Sequence, residues 1–402
     1  MDLKRTYAIA LAALAAMTAA GPAIPQTGAA QGSGRPASSP SDMPQPDVDP
    51  AIPVVLLVDL ASGQTLFERE TRRRFVPASV TKVMTAYSAF RMIEDGALSP
   101  DAMVTIDKEI ADSWYAQGST MFLKAGDEVT VEQLLIGITT VSANDASVVL
   151  AHIATGSVEN WLELMNANAA ELGMRDTHFG TPNGWPDEGY TFTTAADLAI
   201  LAEAMTTRYP DLYRRFFGRR GMSYNGIAQN NHDPVTGVID GADGIKTGYT
   251  RQSGYNFLGS AERDGRRLVV VVAAAPTIPL RNSASRDVLR WGFDSFETRE
   301  VLPAGADVGE ALVQDGAGSR VPLRTQGRVL AAIPRGQDAD VTLTVRYRGP
   351  IEAPIAEGAR IATLRVSIPG QREHDVPLVA GADVPRANAW QRLMNGVAGF
   401  FS

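Results

Sequence analysis

The stretch Pro77-Ala78-Ser79-Val80-Thr81-Lys82 constrains this chain most. It opens a helical pattern that runs to about Asp95, with Val83, Ala86, Tyr87, Phe90 and Ile93 on one stripe and Gly96 as its stop. Pro77 suits the start, where its missing N–H costs nothing. An apolar run at residues 53–60, a turn at Ala61-Ser62-Gly63 and a second run at residues 64–68 predict an antiparallel hairpin. Residues 256–260 and 268–275 read as further core strands. The expected class is therefore α+β, an antiparallel sheet with helices packed on it.

Ser79 and Lys82 are three residues apart, a spacing that stacks their side chains on one helical face. A serine hydroxyl becomes a nucleophile when a nearby base takes its proton, and a neutral lysine amine can be that base. The positive end of the helix dipole beside Ser79 would help to hold a developing oxyanion. The competing reading is a serine cap with a solvated lysine one turn on. Basic-residue usage favours chemistry. Of 37 lysines and arginines only Lys4, Lys82, Lys108, Lys124 and Lys246 are lysine. Arginine does not deprotonate in a protein, whereas a lysine amine can be tuned to do so.

Composition narrows the rest. A chain of 402 residues, 45% hydrophobic and 20% charged, fits a soluble globular protein of two domains with terminal appendages. A formal charge of −8 argues against a nucleic-acid binder. There is no cysteine, so disulfides, thiolate metal sites and a cysteine nucleophile are excluded. The four histidines form no His-Glu-x-x-His pairing, and neither a metal nor a cofactor is expected.

Further along, Leu134, Leu135 and Ile138 mark one helix and Val148, Val149 and Ile153 another. Between them, Ser142 can relay protons, and Asn144 either caps the second helix or orients a substrate carbonyl. Residues 180–190, dense in Gly, Pro, Asn and Asp, read as a long surface loop, and Thr193-Thr194-Ala195-Ala196-Asp197 starts another helix. Lys246-Thr247-Gly248 then lies on a strand. Lys246 is either a solvated edge charge or part of a site. Gly248 removes a side chain that would stop a substrate backbone from lying alongside as an extra strand.

Ser79-x-x-Lys82, Ser142-x-Asn144 and Lys246-Thr247-Gly248, in that order, resemble the three motifs of the penicillin-recognising serine enzymes, with Ala143 at the variable position. Within that superfamily the chain is similar to the low-molecular-mass penicillin-binding proteins that act as D-alanyl-D-alanine carboxypeptidases. The likeness extends to Phe192-Thr193-Thr194-Ala195-Ala196-Asp197-Leu198, Asp243-Gly244-Ile245 and Ser253-Gly254-Tyr255-Asn256, and runs from residue 51 to about 300. Where many relatives have a histidine before the Phe-Thr-Thr-Ala stretch, this chain has Thr191.

The resemblance implies a β-lactamase/transpeptidase-like fold, peptidoglycan stem peptide as substrate and β-lactams as inhibitors. Ser79 would attack the penultimate D-alanine carbonyl, Lys82 would take its proton, and Ser142 would pass a proton to the leaving D-alanine. Asn144 would hold the substrate amide. Lys246 would keep Lys82 neutral, and the backbone N–H groups of Ser79 and Tyr249 would form the oxyanion hole. Thr247 and Arg281 would bind the terminal carboxylate. Alternatives are a β-lactamase with Asp187 or Glu188 as base, a D,D-endopeptidase, and a non-catalytic peptidoglycan-binding scaffold.

The ends carry other messages. Lys4 and Arg5 precede an apolar stretch at residues 7–20, so residues 1–30 read as a secretory signal peptide and 31–50 as a disordered linker. The peptidase domain is expected over 51–298. Clean alternation at 341–347 and 364–368 predicts a small β-sandwich over 299–384. Residues 385–402 read as a C-terminal amphipathic helix, with Trp390, Leu393, Met394, Val397, Phe400 and Phe401 on one face, suited to the inner-membrane surface. The expected location is periplasmic, on the outer face of the bacterial inner membrane.

Overall fold

The computed structural model describes residues 45–388. The expected signal peptide, most of the linker and the apolar face of the terminal helix lie outside the described residues. Two compact units are present, and the boundary between them falls between Ser295 and Phe296.

The first unit begins with β1 (Val54–Asp59) and β2 (Gln64–Arg69). A 3-10 turn, Ala78–Thr81, leads into α1 (Lys82–Glu94), followed by β3 (Met103–Thr105), α2 (Lys108–Trp114), β4 (Glu128–Thr130), α3 (Val131–Thr140), α4 (Asn144–Thr155) and α5 (Val158–Leu172). Then come α6 (Ala195–Arg208), α7 (Pro210–Phe216), β5 (Gly221–Tyr224), β6 (Ile227–Asn230), β7 (Ala242–Thr250), β8 (Gly254–Arg263), β9 (Arg266–Ala275) and α8 (Ile278–Ser295).

The main sheet has five strands in the order β2-β1-β9-β8-β7, so strands from both ends of the unit meet at its centre. β1 and β9 are apolar at almost every position because both faces are covered. Side chains alternate across a strand. Val54, Leu56, Val269 and Val271 therefore enter one core with α1 and α3 to α7, while Val55, Leu57, Val270 and Val272 enter another with α8. β7 ends the sheet, and its outer edge is free for pairing.

α1 differs from the predicted one-stripe helix. It is buried at every position from Lys82 to Phe90, with Ile93 only partly covered. A helix covered all round is central. The expected linker also ends earlier than Pro50. Val48 packs into the core with Ile52, and the Arg69 guanidinium donates to the carbonyls of Val48, Asp49 and Ile52.

The second unit is all β: β10 (Phe296–Leu302), β11 (Asp307–Gln314), β12 (Arg320–Thr325), β13 (Val329–Pro334), β14 (Thr342–Arg346), β15 (Ile351–Glu352), β16 (Arg360–Ser367) and β17 (His374–Ala380). A six-stranded sheet, β14-β16-β17-β12-β11-β15, and a β10-β13 ribbon share an apolar core that includes Val329, Leu343, Leu364, Val366 and Leu378. Most pairings are antiparallel as the alternation implied, but β11 and β15 run parallel.

One buried ion pair ties the central strands. Asp59, at the end of β1, lies 2.7 Å from the Arg266 guanidinium at the start of β9, with the Asp59 side chain fully covered. Removing one partner of such a pair leaves a covered charge uncompensated. Asp59→Ala is expected to lower stability by about 3–5 kcal/mol, read from the urea unfolding midpoint. A loss below about 1 kcal/mol, the value of an exposed pair, would contradict that assignment.

Candidate active site

Ser79 sits on the 3-10 turn and Lys82 begins α1. In a 3-10 turn, side chains three apart eclipse, which is tighter than the α-helical stacking expected from the spacing. The Lys82 Nζ lies 3.0 Å from Ser79 Oγ, 2.7 Å from Asn144 Oδ1 and 2.6 Å from the Asn183 carbonyl oxygen. Lys82 is 1% exposed. Burial, then the positive charge of Lys246, hold its amine well below the usual lysine range, against a smaller opposing pull from Asp145.

The turn is gripped from several sides. Ala78 adopts φ 52°, a left-handed conformation that a non-glycine residue holds only where its surroundings impose it. Gly184 presses on it so closely that a Cβ there would come within 1.9 Å of the Ala78 carbonyl oxygen. A Cβ at Gly248 on β7 would come within 2.4 Å of the Pro77 oxygen and 3.2 Å of the Ser79 nitrogen. Gly248 was expected to make room for substrate, but its missing side chain first makes room for the turn that carries Ser79. Asn256 on β8 adds a staple, donating to the Val76 carbonyl at 3.0 Å while its own Oδ1 accepts from Ala274 N–H.

Asn144 opens α4, whose preceding residue is Ala143, so Asn144 is helical and not the cap. Its Oδ1 accepts from Lys82 and its Nδ2 donates to the Gln117 carbonyl at 2.8 Å. An amide nitrogen carries two hydrogens, so one remains for a ligand. Ser142 lies at φ 66° on the cavity wall and, among the described residues, makes no hydrogen bond with Ser79, Lys82 or Lys246. Lys246 is 5% exposed and donates to the Thr247 carbonyl at 2.8 Å. Burial, then Arg281, lower its amine to about 7, with Asp233 opposing. Arg281, near the start of α8, is itself brought down to about 10 by burial and so stays charged at neutral pH.

These groups converge on a cavity of about 730 Å³ whose walls include Ser79, Ser142, Asn144, Thr247, Tyr249 and Arg281. A second cavity of about 570 Å³ between α2 and α4 holds none of the motif residues.

Sequence reasoning missed three supports. The 180–190 loop is half interior, with Asn183 and Gly184 buried, and its Pro182 carbonyl accepts from Thr85 on α1. Only its density in turn residues hinted that it held a fixed backbone shape. Asp145, beside Asn144, accepts from the backbone N–H groups of Met121, Leu123 and Ala146, so it fixes the segment that carries Gly118 and Ser119 to the cavity. His232 lies on the cavity wall, its imidazole lowered by burial, Lys246 and Arg281. Thr191 donates to the Asp187 carboxylate and accepts from Gly180 N–H, which ties the loop together.

Comparisons with known proteins agree on one family. The family model described as D-alanyl-D-alanine carboxypeptidase matches residues 43–277, and that of the penicillin-binding protein 5 C-terminal domain matches residues 296–386. The chain is 32% identical over 350 residues to D-alanyl-D-alanine carboxypeptidase DacA of Escherichia coli K12, covering 85% of each. Among solved structures it is similar to penicillin-binding protein 5 of Haemophilus influenzae, with TM-score 0.74, 31% identity and coverage of 85% of this chain and 99% of that one. Penicillin-binding protein D2 of Listeria monocytogenes, solved in a cefotaxime-bound form, matches with TM-score 0.55 and 25% identity over 62% of this chain and all of its own (100%).

Replacing Gly248 by alanine should force β7 away from the nucleophile turn, since the obstructing atoms are backbone. Overpacking of this kind costs about 1–3 kcal/mol. Gly248→Ala is expected to unfold at lower temperature and to acylate more slowly with a penicillin. Wild-type values for both would show that the close approach is not needed.

Proposed function

The chain belongs to the D-alanyl-D-alanine carboxypeptidase family of serine peptidases, and from that premise we propose how its residues divide the reaction. The enzyme removes the terminal D-alanine from peptidoglycan pentapeptide stems through an acyl-enzyme on Ser79. The observation that carries this reading is the environment of the Lys82 amine. A neutral amine has two hydrogens and one lone pair. The two carbonyl oxygens at 2.7 and 2.6 Å take the hydrogens, which leaves the lone pair facing the Ser79 hydroxyl at 3.0 Å.

Ser79 Oγ attacks the carbonyl of the penultimate D-alanine as its proton passes to Lys82. The backbone N–H groups of Ser79 and Tyr249 receive the oxyanion. The close approach of Gly248 to the Ser79 nitrogen supports this pairing, since it brings the neighbouring Tyr249 backbone to the same place. Each such donor is worth about 10²–10³ in rate. Collapse of the tetrahedral intermediate breaks the peptide C–N bond, and Ser142 gives its proton to the departing amine as it takes up the one held by Lys82, which returns Lys82 to the neutral form. Asn144 holds the donor amide with its remaining hydrogen. Thr247, with Arg281 and Lys246, receives the terminal carboxylate as the peptide lies along the free edge of β7. Water then hydrolyses the ester and releases the shortened stem.

A β-lactam presents a cyclic amide to the same serine and forms a stable acyl-enzyme, which accounts for inhibition. Fast β-lactam turnover would need a dedicated carboxylate base. Asp187 accepts from Thr191 N–H at 3.1 Å and from its hydroxyl at 2.5 Å, and Glu188 is exposed, so no observation favours that alternative. Among the described residues no helix is long and apolar enough to cross a membrane. The proposed setting is the periplasm, at the outer face of the inner membrane; residues 385–387, expected to begin the terminal helix, instead pair with residues 315–317 of the β unit, and Ala387 is buried there.

Purified protein incubated with a D-Ala-D-Ala-terminated pentapeptide is expected to release D-alanine and to be labelled covalently by a fluorescent penicillin, and Ser79→Ala should lose both. A wild-type protein that neither releases D-alanine nor takes the label would overturn the enzyme reading.

A further inference from the structure

Most of the motif residues are buried, yet two large aromatic rings stand open on the same cavity. Trp185 is 39% exposed and Tyr249 is 54% exposed, and both line the wall that carries Ser79. Each follows a glycine pressed against the Pro77-Ala78-Ser79 turn, Gly184 in one case and Gly248 in the other, so neither ring can drift from the nucleophile. Each is also braced from behind. Trp185 meets Trp114 edge-on, with centroids 5.6 Å apart, and Tyr249 stacks on Tyr255 at 4.3 Å. Rings fixed at both root and back, with their outer faces left to solvent, are placed to receive something apolar.

Their positions say which part of a substrate they meet. Trp185 and the Asn144 amide both lie against Gly118, within 3.1 and 3.0 Å of where its Cβ would stand, so this ring belongs to the Asn144 side of the cavity. Tyr249 is two residues beyond Thr247 on β7, about 7 Å along an extended strand. Thr247 and Arg281 are assigned to the terminal carboxylate, so Tyr249 lies past the scissile carbonyl, on the acyl-donor side. A donor chain held between Asn144 and the β7 edge therefore has one ring on each flank.

Resting on the reading of Ser79 as the acylated nucleophile, we propose that Trp185 and Tyr249 form a two-walled aromatic subsite for the acyl-donor side chain. It selects donors whose amide carries an apolar or aromatic group over donors that carry none. The subsite acts on recognition and takes no part in proton transfer. Polar ends of a stem peptide would pass beyond it, with their methylene stems lying between the rings.

The test is the ratio of second-order acylation rate constants for benzylpenicillin, which has an aromatic side chain, and 6-aminopenicillanic acid, which has a bare amine. In wild type the ratio should favour benzylpenicillin. Trp185→Ala and Tyr249→Ala should each reduce it about 3–10-fold, and Trp185→Phe should restore most of it. A merely structural role would lower both rate constants together and leave the ratio unchanged. An unchanged ratio in both variants overturns the subsite while leaving the acyl-enzyme intact. Failure of both penicillins to acylate wild type overturns the function on which the subsite rests, and the subsite with it.

Discussion

A lysine amine without bulk water is the constraint around which the first unit is arranged. Lys82 begins a helix that is covered on every face, and its Nζ contacts only oxygens from Ser79, Asn144 and Asn183 among the described residues. An unpaired ammonium in such a place is costly, so the group gives up its proton. Lys246 adds a like charge nearby, and its own amine is lowered to about 7 by burial and then by Arg281. For each amine burial acts first and the neighbouring cation second.

The fold supplies this burial through two-sided coverage. β1 and β9 place alternate side chains into separate cores, which fixes the sheet between α8 and the helices around α1. That leaves β7 as an edge strand beside the turn that carries Ser79, with Gly248 allowing the backbones to touch. The conformation of Ala78 at φ 52° and of Ser142 at φ 66° is held by the same packing. Strain of this sort persists where surrounding structure over-determines it, and Ser142 carries it on the cavity wall.

How much of this was legible in the sequence depends on the kind of interaction. Pairs set by local spacing were readable, since Ser79 and Lys82 meet wherever three residues span one turn. The apolar runs at residues 53–60 and 268–275 announced strands because a period of two is a local property. Supports that arise from backbone atoms were not readable. The Asn183 carbonyl reaches Lys82 across 101 positions of chain, and any residue type has a carbonyl. Gly248 was readable as a place needing no side chain, but what occupies the space, the Pro77 carbonyl, depends on tertiary approach. Asp145 was not singled out, because its partners, Met121 and Leu123, lie on a distant segment.

The protonation of Lys82 can be observed directly. The chain has only five lysines, so a protein with isotope-labelled lysine side chains gives few resonances to assign, with Lys82→Met identifying the one of interest. The account predicts that the Lys82 resonance titrates well below the ordinary lysine range and that the amine is neutral at pH 7.5 in the free enzyme. A Lys82 resonance titrating near 10.4, as lysine does in model peptides, would mean that the residue beside Ser79 is an ammonium and cannot be its base.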